Sequence, residues 1–71
     1  MGSRLYSSDD IIKALERKGF VFISQKGSHA KYRKYGKPTL TAIVPVKRKQ
    51  IPMGTLHSIL RQSNLKIEDI N

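Results

Sequence analysis

The spacing of apolar residues shifts along the chain, and each shift marks an element. Ile11, Ile12 and Leu15 share one helical face, with Ala14 beside it. Ser7 or Ser8 suits the N-cap, and Asp9 and Asp10 suit the positive end of the helix dipole. With Ser7 as the cap, Tyr6 and Ile11 fall where a hydrophobic staple pairs its two residues. Arg17 and Lys18 complement the negative end, Gly19 stops the helix, and Phe20 folds back on Leu15. The spacing therefore predicts a helix over Ser8 to Lys18.

The period then shortens. Phe20 to Ser24 is aromatic and β-branched and reads as a strand, and Gln25 to Ser28 as a turn. His29 to Tyr35 alternates as a second strand. Tyr35-Gly36-Lys37-Pro38 is a turn, and Thr39 to Val44 is a third strand that Pro45 ends. Short connections make the three strands an antiparallel meander. Val46 to Gln50 reads as a loop. Helical spacing returns at Leu56, Ile59 and Leu60, with Met53 in line and Pro52 in the first turn. Asn64 suits the C-cap, and Leu65, Ile67 and Ile70 suggest a closing turn. The expected fold is α+β, in the order α-β-β-β-α, as one domain over residues 1–71 with both helices on one sheet face. Phe20, Phe22 and Tyr32 are expected in the core.

Alternation fixes the other face. His29, Lys31, Arg33 and Tyr35 point one way, and Ala30, Tyr32 and Lys34 the other. Ala30 and Tyr32 suit packing beneath helices, and Lys34 reaches solvent along its flexible stem. His29, Lys31 and Arg33 are therefore expected on the open face.

Charge sharpens this picture. The 71 residues carry a net charge of +9 and no cysteine, which excludes disulfides and cysteine-based metal sites. From Arg17 through Arg61 there are eleven Lys or Arg residues and no Asp or Glu. A field of one sign attracts polyanions, so nucleic acid is the expected partner; an acidic protein fits the same charge. No apolar run approaches the roughly 20 residues of a membrane span, and no signal peptide is visible, so no membrane role and a cytoplasmic location are expected.

His29 is one of two histidines. Imidazole exchanges protons near neutral pH, so His29 reads either as a proton-transfer group or as a turn histidine bonded to backbone. RNA is the natural substrate for the first reading. Its 2'-OH attacks the adjacent phosphate once a base removes its proton, leaving a 2',3'-cyclic phosphate and a 5'-OH end. Neither a metal nor a cofactor is needed. Lys31, Arg33 and the backbone N–H groups around Gly27 are the candidate phosphate holders. Ser28 either donates to a phosphate oxygen or shapes the turn. Lys47, Arg48 and Lys49 form a phosphate-attracting loop, and Tyr35 either stacks on a base or packs. His57 reads as a surface or boundary residue of the second helix. No spacing of His, Asp or Glu suggests a metal site.

The sequence resembles the HicA toxin family, the YcfA-like mRNA interferases. The resemblance is carried by Ile12-Lys13-Ala14-Leu15-Glu16-Arg17-Lys18-Gly19-Phe20, by Gln25-Lys26-Gly27-Ser28-His29, by Val44-Pro45, and by Gly54-Thr55-Leu56 with Ile59-Leu60-Arg61-Gln62. It implies a fold like the double-stranded-RNA-binding domain and a metal-independent endoribonuclease that cleaves mRNA and halts translation. It also implies a HicB-type antitoxin that blocks the toxin, and a catalytic histidine at His29, flanked by Gly27 and Ser28. Many relatives carry a second histidine shortly after the Val-Pro that ends the third strand; here Lys47 stands there. Two other readings stay open: a non-catalytic double-stranded-RNA-binding module and a basic adaptor for an acidic protein. Such modules open their second helix with a lysine cluster, whereas here the cluster lies upstream, at residues 47–49.

Overall fold

The computed structural model describes residues 5–71. Helix α1 spans Ser8–Arg17, strands β1, β2 and β3 span Val21–Lys26, His29–Lys34 and Leu40–Pro45, and helix α2 spans Met53–Ser63. A 3-10 turn at Ile67–Asp69 follows. The strands form one antiparallel sheet in the order β1-β2-β3, so the strand that begins with His29 is central. The order α-β-β-β-α agrees with the expected arrangement and is consistent with the double-stranded-RNA-binding-domain type.

Capping sets the limits of α1. The Ser7 hydroxyl accepts from the Asp10 N–H at 3.1 Å, and the Asp10 carboxylate accepts from the Ser7 N–H at 3.0 Å, a capping box. At the other end Gly19 takes φ +95°, and the Phe20 N–H reaches back to the Leu15 carbonyl at 2.9 Å. Tyr6, Ile11, Leu15 and Phe20 are all buried, as the staple and the fold-back require. Asn64 ends α2 with φ 58° in the left-handed region.

One core joins both helices to one side of the sheet: Ile11, Ala14 and Leu15 from α1, Leu56 and Ile59 from α2, and Ala30, Tyr32, Ala42 and Val44 from β2 and β3. Ile70 closes one end, so the expected closing turn is present. Arg17 donates to the Asp69 carbonyl at 2.9 Å, and Lys18 lies 3.4 Å from the Asp69 carboxylate. A bond from the Lys66 N–H, followed by the Lys18 charge, holds that carboxyl below its ordinary range.

Four expectations are corrected. Phe22 is not core: it points to the helix side, edge-on to Tyr32 with ring centroids 5.7 Å apart, but β1 is an edge strand and the ring is 54% exposed. Met53 is not in line with the core; it sits at the first turn of α2 and is half exposed. Strand β1 starts one residue later than expected and runs on through Gln25 and Lys26, shortening the turn to Gly27-Ser28. Strand β3 runs Leu40–Pro45, one residue later at each end than expected, with Pro45 as its last residue; an edge strand tolerates this because the missing N–H costs no ladder bond on the free side.

Burial raises the titration point of the Tyr32 phenol, and the charge of Glu16 adds to the rise. A raised folded value means the native state keeps the proton longer than the unfolded chain does. That contribution is complete below the unfolded value of about 10 and drains away as pH climbs through the folded one. Thermal melts of Tyr32→Phe should therefore lose less stability above pH ~10 than melts of the parent; matching alkaline limbs would contradict this.

Candidate functional site

The site is built on the β1–β2 hairpin. Its loop is Gly27-Ser28, and Lys26 pairs directly with His29. Positive φ at the first loop residue alone, 58° at Gly27, marks a type II' turn, whose twist matches the flanking strands. A Cβ at Gly27 would meet no atom within 4 Å, so conformation rather than crowding asks for glycine, and the backbone there is open to a ligand. The Gln25 amide donates to the Gly27 carbonyl at 3.0 Å and braces the turn.

Register settles which side chains share the open face. Residues opposite each other in an antiparallel pair point the same way. Lys26, His29 and Pro45 form one row; Ser24, Lys31 and Ile43 the next; Val21, Arg33 and Thr41 the third. The helix side carries Gln25, Ala30 and Val44, then Phe22, Tyr32 and Ala42. His29 is exposed, while Lys31 and Arg33 are half-buried among their neighbours. The expected faces of β2 are therefore found. Lys34, on the helix side, lays its stem across Gly19 and ends in solvent.

Sequence reasoning places Lys26 in a turn and does not single it out. A β-bulge makes the difference. The register shifts between Phe22 and Ser24, leaving Ile23 as the extra residue. Strict alternation would place Phe22 and Lys26 on the same face. The bulge sends Phe22 toward Tyr32 and Lys26 to the side of His29. The one legible signal is the two-residue loop, which by itself pairs residue 26 with residue 29.

The cations are not all held in the same way. Arg33 is steered along the sheet by a bond from its Nε to the Thr41 hydroxyl at 3.1 Å. Lys47, Arg48 and Lys49 are exposed on the segment after β3, which the Val46 N–H ties to the Ser28 carbonyl at 2.8 Å. That bond puts the basic segment beside the hairpin that bears His29. An open cleft of about 220 Å³ is lined by Lys47, Arg48 and Lys49 together with Ser7, Ser8 and Asp9 at the start of α1. Tyr35, just past β2, is 67% exposed. His57 is exposed on α2, whose core-facing side covers the opposite sheet face, so it does not join His29. Among the described residues no three His, Cys, Asp or Glu side chains gather as metal ligands. Among the same residues no helix is long and apolar enough to cross a membrane.

A search of curated proteins finds no significant match. A family model does match: the one described as the HicA toxin of bacterial toxin–antitoxin matches residues 8–65. The chain belongs to the HicA toxin family. The matched span opens on the first residue of α1 and closes just past α2, so it contains the hairpin, the open sheet face and the basic segment. Membership of a toxin–antitoxin family gives this HicA chain an antitoxin as partner.

Proposed function

We propose that this HicA toxin is a metal-independent endoribonuclease that cleaves mRNA and thereby inhibits translation, with His29 as the general acid/base and a HicB-type antitoxin as its inhibitor. The observation that carries the reading is the exposed His29 at the start of the central strand, on a sheet face whose charged residues in register are Lys26, Lys31 and Arg33. None of the acids shares that face: Asp9, Asp10 and Glu16 are on α1, and Glu68 and Asp69 are in the 3-10 turn.

The chemistry runs as an in-line transfer. His29 takes the proton from a ribose 2'-OH as that oxygen attacks the neighbouring phosphorus. The bond to the 5'-oxygen breaks, and the leaving oxygen takes a proton from the imidazolium or from water. Products are a 2',3'-cyclic phosphate and a 5'-OH. Charge gathers on the non-bridging phosphate oxygens during attack, where Lys26, Lys31 and Arg33 and the N–H groups at Gly27 and Ser28 offer positive charge and donors. Lys47, Arg48 and Lys49 hold the strand through its neighbouring phosphates. RNA is held on one sheet face while the helices keep the other, so binding leaves the core undisturbed.

An RNA transcript incubated with the purified protein in excess EDTA should be cut, with product ends that resist polynucleotide 3'-ligation until the cyclic phosphate is opened and the resulting phosphate removed. Intact RNA in EDTA, with salt-sensitive binding retained, would instead support a non-catalytic RNA-binding module.

A further inference from the structure

Ser8 is buried to 1% exposure and is the most enclosed polar side chain near the site. Its hydroxyl donates to the Pro45 carbonyl at 2.6 Å and accepts from the Arg48 N–H at 2.9 Å. Its own N–H donates to the Arg48 carbonyl, also at 2.9 Å. One residue at the head of α1 thus grips the chain on both sides of Val46 and Lys47. Between these grips Lys47 adopts φ 59°, in the left-handed region that a lysine rarely enters. The neighbouring residue Val46 is pinned to Ser28. Lys47 is therefore forced into an unfavoured backbone conformation by bonds on either side. It sits two residues beyond Pro45, the ladder partner of His29.

Strain of this kind persists only where its surroundings over-determine it, and it collects at functional positions. The other left-handed positions hold residues that enter this region readily, Gly19, Gly27 and Asn64, so Lys47 stands apart from them.

We propose that Ser8 is a positioning residue: its paired bonds to Pro45 and Arg48 lock the left-handed backbone of Lys47, which presents the Lys47 ammonium to an RNA phosphate beside His29. The inference rests on the RNA-handling reading above. Ser8 itself touches no substrate. It acts by fixing the direction in which Lys47 leaves the backbone. Without the lock, residue 47 relaxes toward negative φ and the side chain leaves at another angle.

The test is the salt dependence of binding to a 2'-fluoro RNA oligonucleotide, which cannot be cleaved. For a single strand, each phosphate that the protein ceases to neutralise lowers the slope of log K against log salt by about 0.7. Lys47→Ala should lower the slope by one such step. Ser8→Ala, which removes no charge, should lower it by the same step, and the double variant should fall no further. A purely structural serine predicts another pattern: a lower Tm, an unchanged slope, and additive effects in the double variant. That pattern overturns the proposal, as does a Lys47→Ala slope equal to the parent's. Where Ser8→Ala does not stay folded, Ser8→Cys, nearly isosteric but weak as donor and acceptor, reads the same slope. Lys47→Gly gives a second measure: relief of the strain should raise Tm by a few degrees while the slope falls. A parent that couples Ser8 to Lys47 in binding yet never cleaves RNA sinks the catalytic reading and leaves this one standing. A parent that cleaves without the coupling does the reverse, and one that shows no salt-dependent binding overturns both.

Discussion

Replacing His29 with alanine should lower the rate of RNA cleavage by roughly 10²- to 10⁴-fold, the usual contribution of one positioned acid/base group. The protein should fold as before, because the ring is exposed at the head of β2 and the ladder bonds of residue 29 are made by its backbone. Exposed substitutions of this kind change stability by less than about 0.5 kcal/mol. RNA affinity should also hold, since Lys26, Lys31 and Arg33 remain on the face. The measurement is single-turnover cleavage of end-labelled RNA in EDTA, with melting curves and binding isotherms in parallel. A variant that cuts as fast as its parent removes His29 from the mechanism. One that loses affinity in proportion to rate makes His29 a binding residue instead.

The largest effect on stability should come from Leu56→Ala. Leu56 is 0% exposed and sits where α2 meets the sheet, in a core shared with Ala42 and Val44. Leucine-to-alanine changes at such positions cost about 2–5 kcal/mol, through lost transfer energy and the cavity left behind. A domain of this size has a total of roughly 4–11 kcal/mol, at about 0.05–0.15 kcal/mol per residue. Each kcal/mol moves the midpoint of so small a domain by about 4–8 °C, so the variant should melt some tens of degrees earlier or fail to fold. Met53→Ala, on the same helix but half exposed, should be nearly silent. Urea denaturation of both variants checks the contrast; similar losses from the two would mean that Leu56 carries no more of the packing of α2 than Met53 does.

The parts of this protein that could be read from its residues are those governed by neighbours in sequence. The Ser7–Asp10 cap, the Gly19 stop and the αL residue Asn64 are local devices, and each lies where its chemistry requires. The alternation of β2 is equally plain, because Ala30 and Tyr32 differ so sharply from Lys31 and Arg33. What escapes depends on distant partners. Nothing about Ile23 marks it as a bulge; the shift arises from how β1 pairs with β2, and it decides the faces of both Phe22 and Lys26. The exposure of Phe22 follows from the helices leaving the edge strand uncovered. The grip of Ser8 joins residues 37 and 40 positions apart, a separation at which no periodicity operates. The candidate site is therefore legible in its centre, at His29, and illegible in its supports.

One bond at the margin of the sheet bears on how this protein behaves when crowded. The outward N–H of Ile43 on β3 is taken by the side-chain oxygen of Gln62, which hangs down from α2, at 2.9 Å. A strand border with free donors is a template on which further strands can crystallise, and here one donor is stoppered from above. The opposite border, along β1, is kinked by its extra residue and studded with Lys26. Copies that meet at high concentration thus find a capped donor on one rim and a bent, charged strand on the other, and both features work against adding a fourth strand.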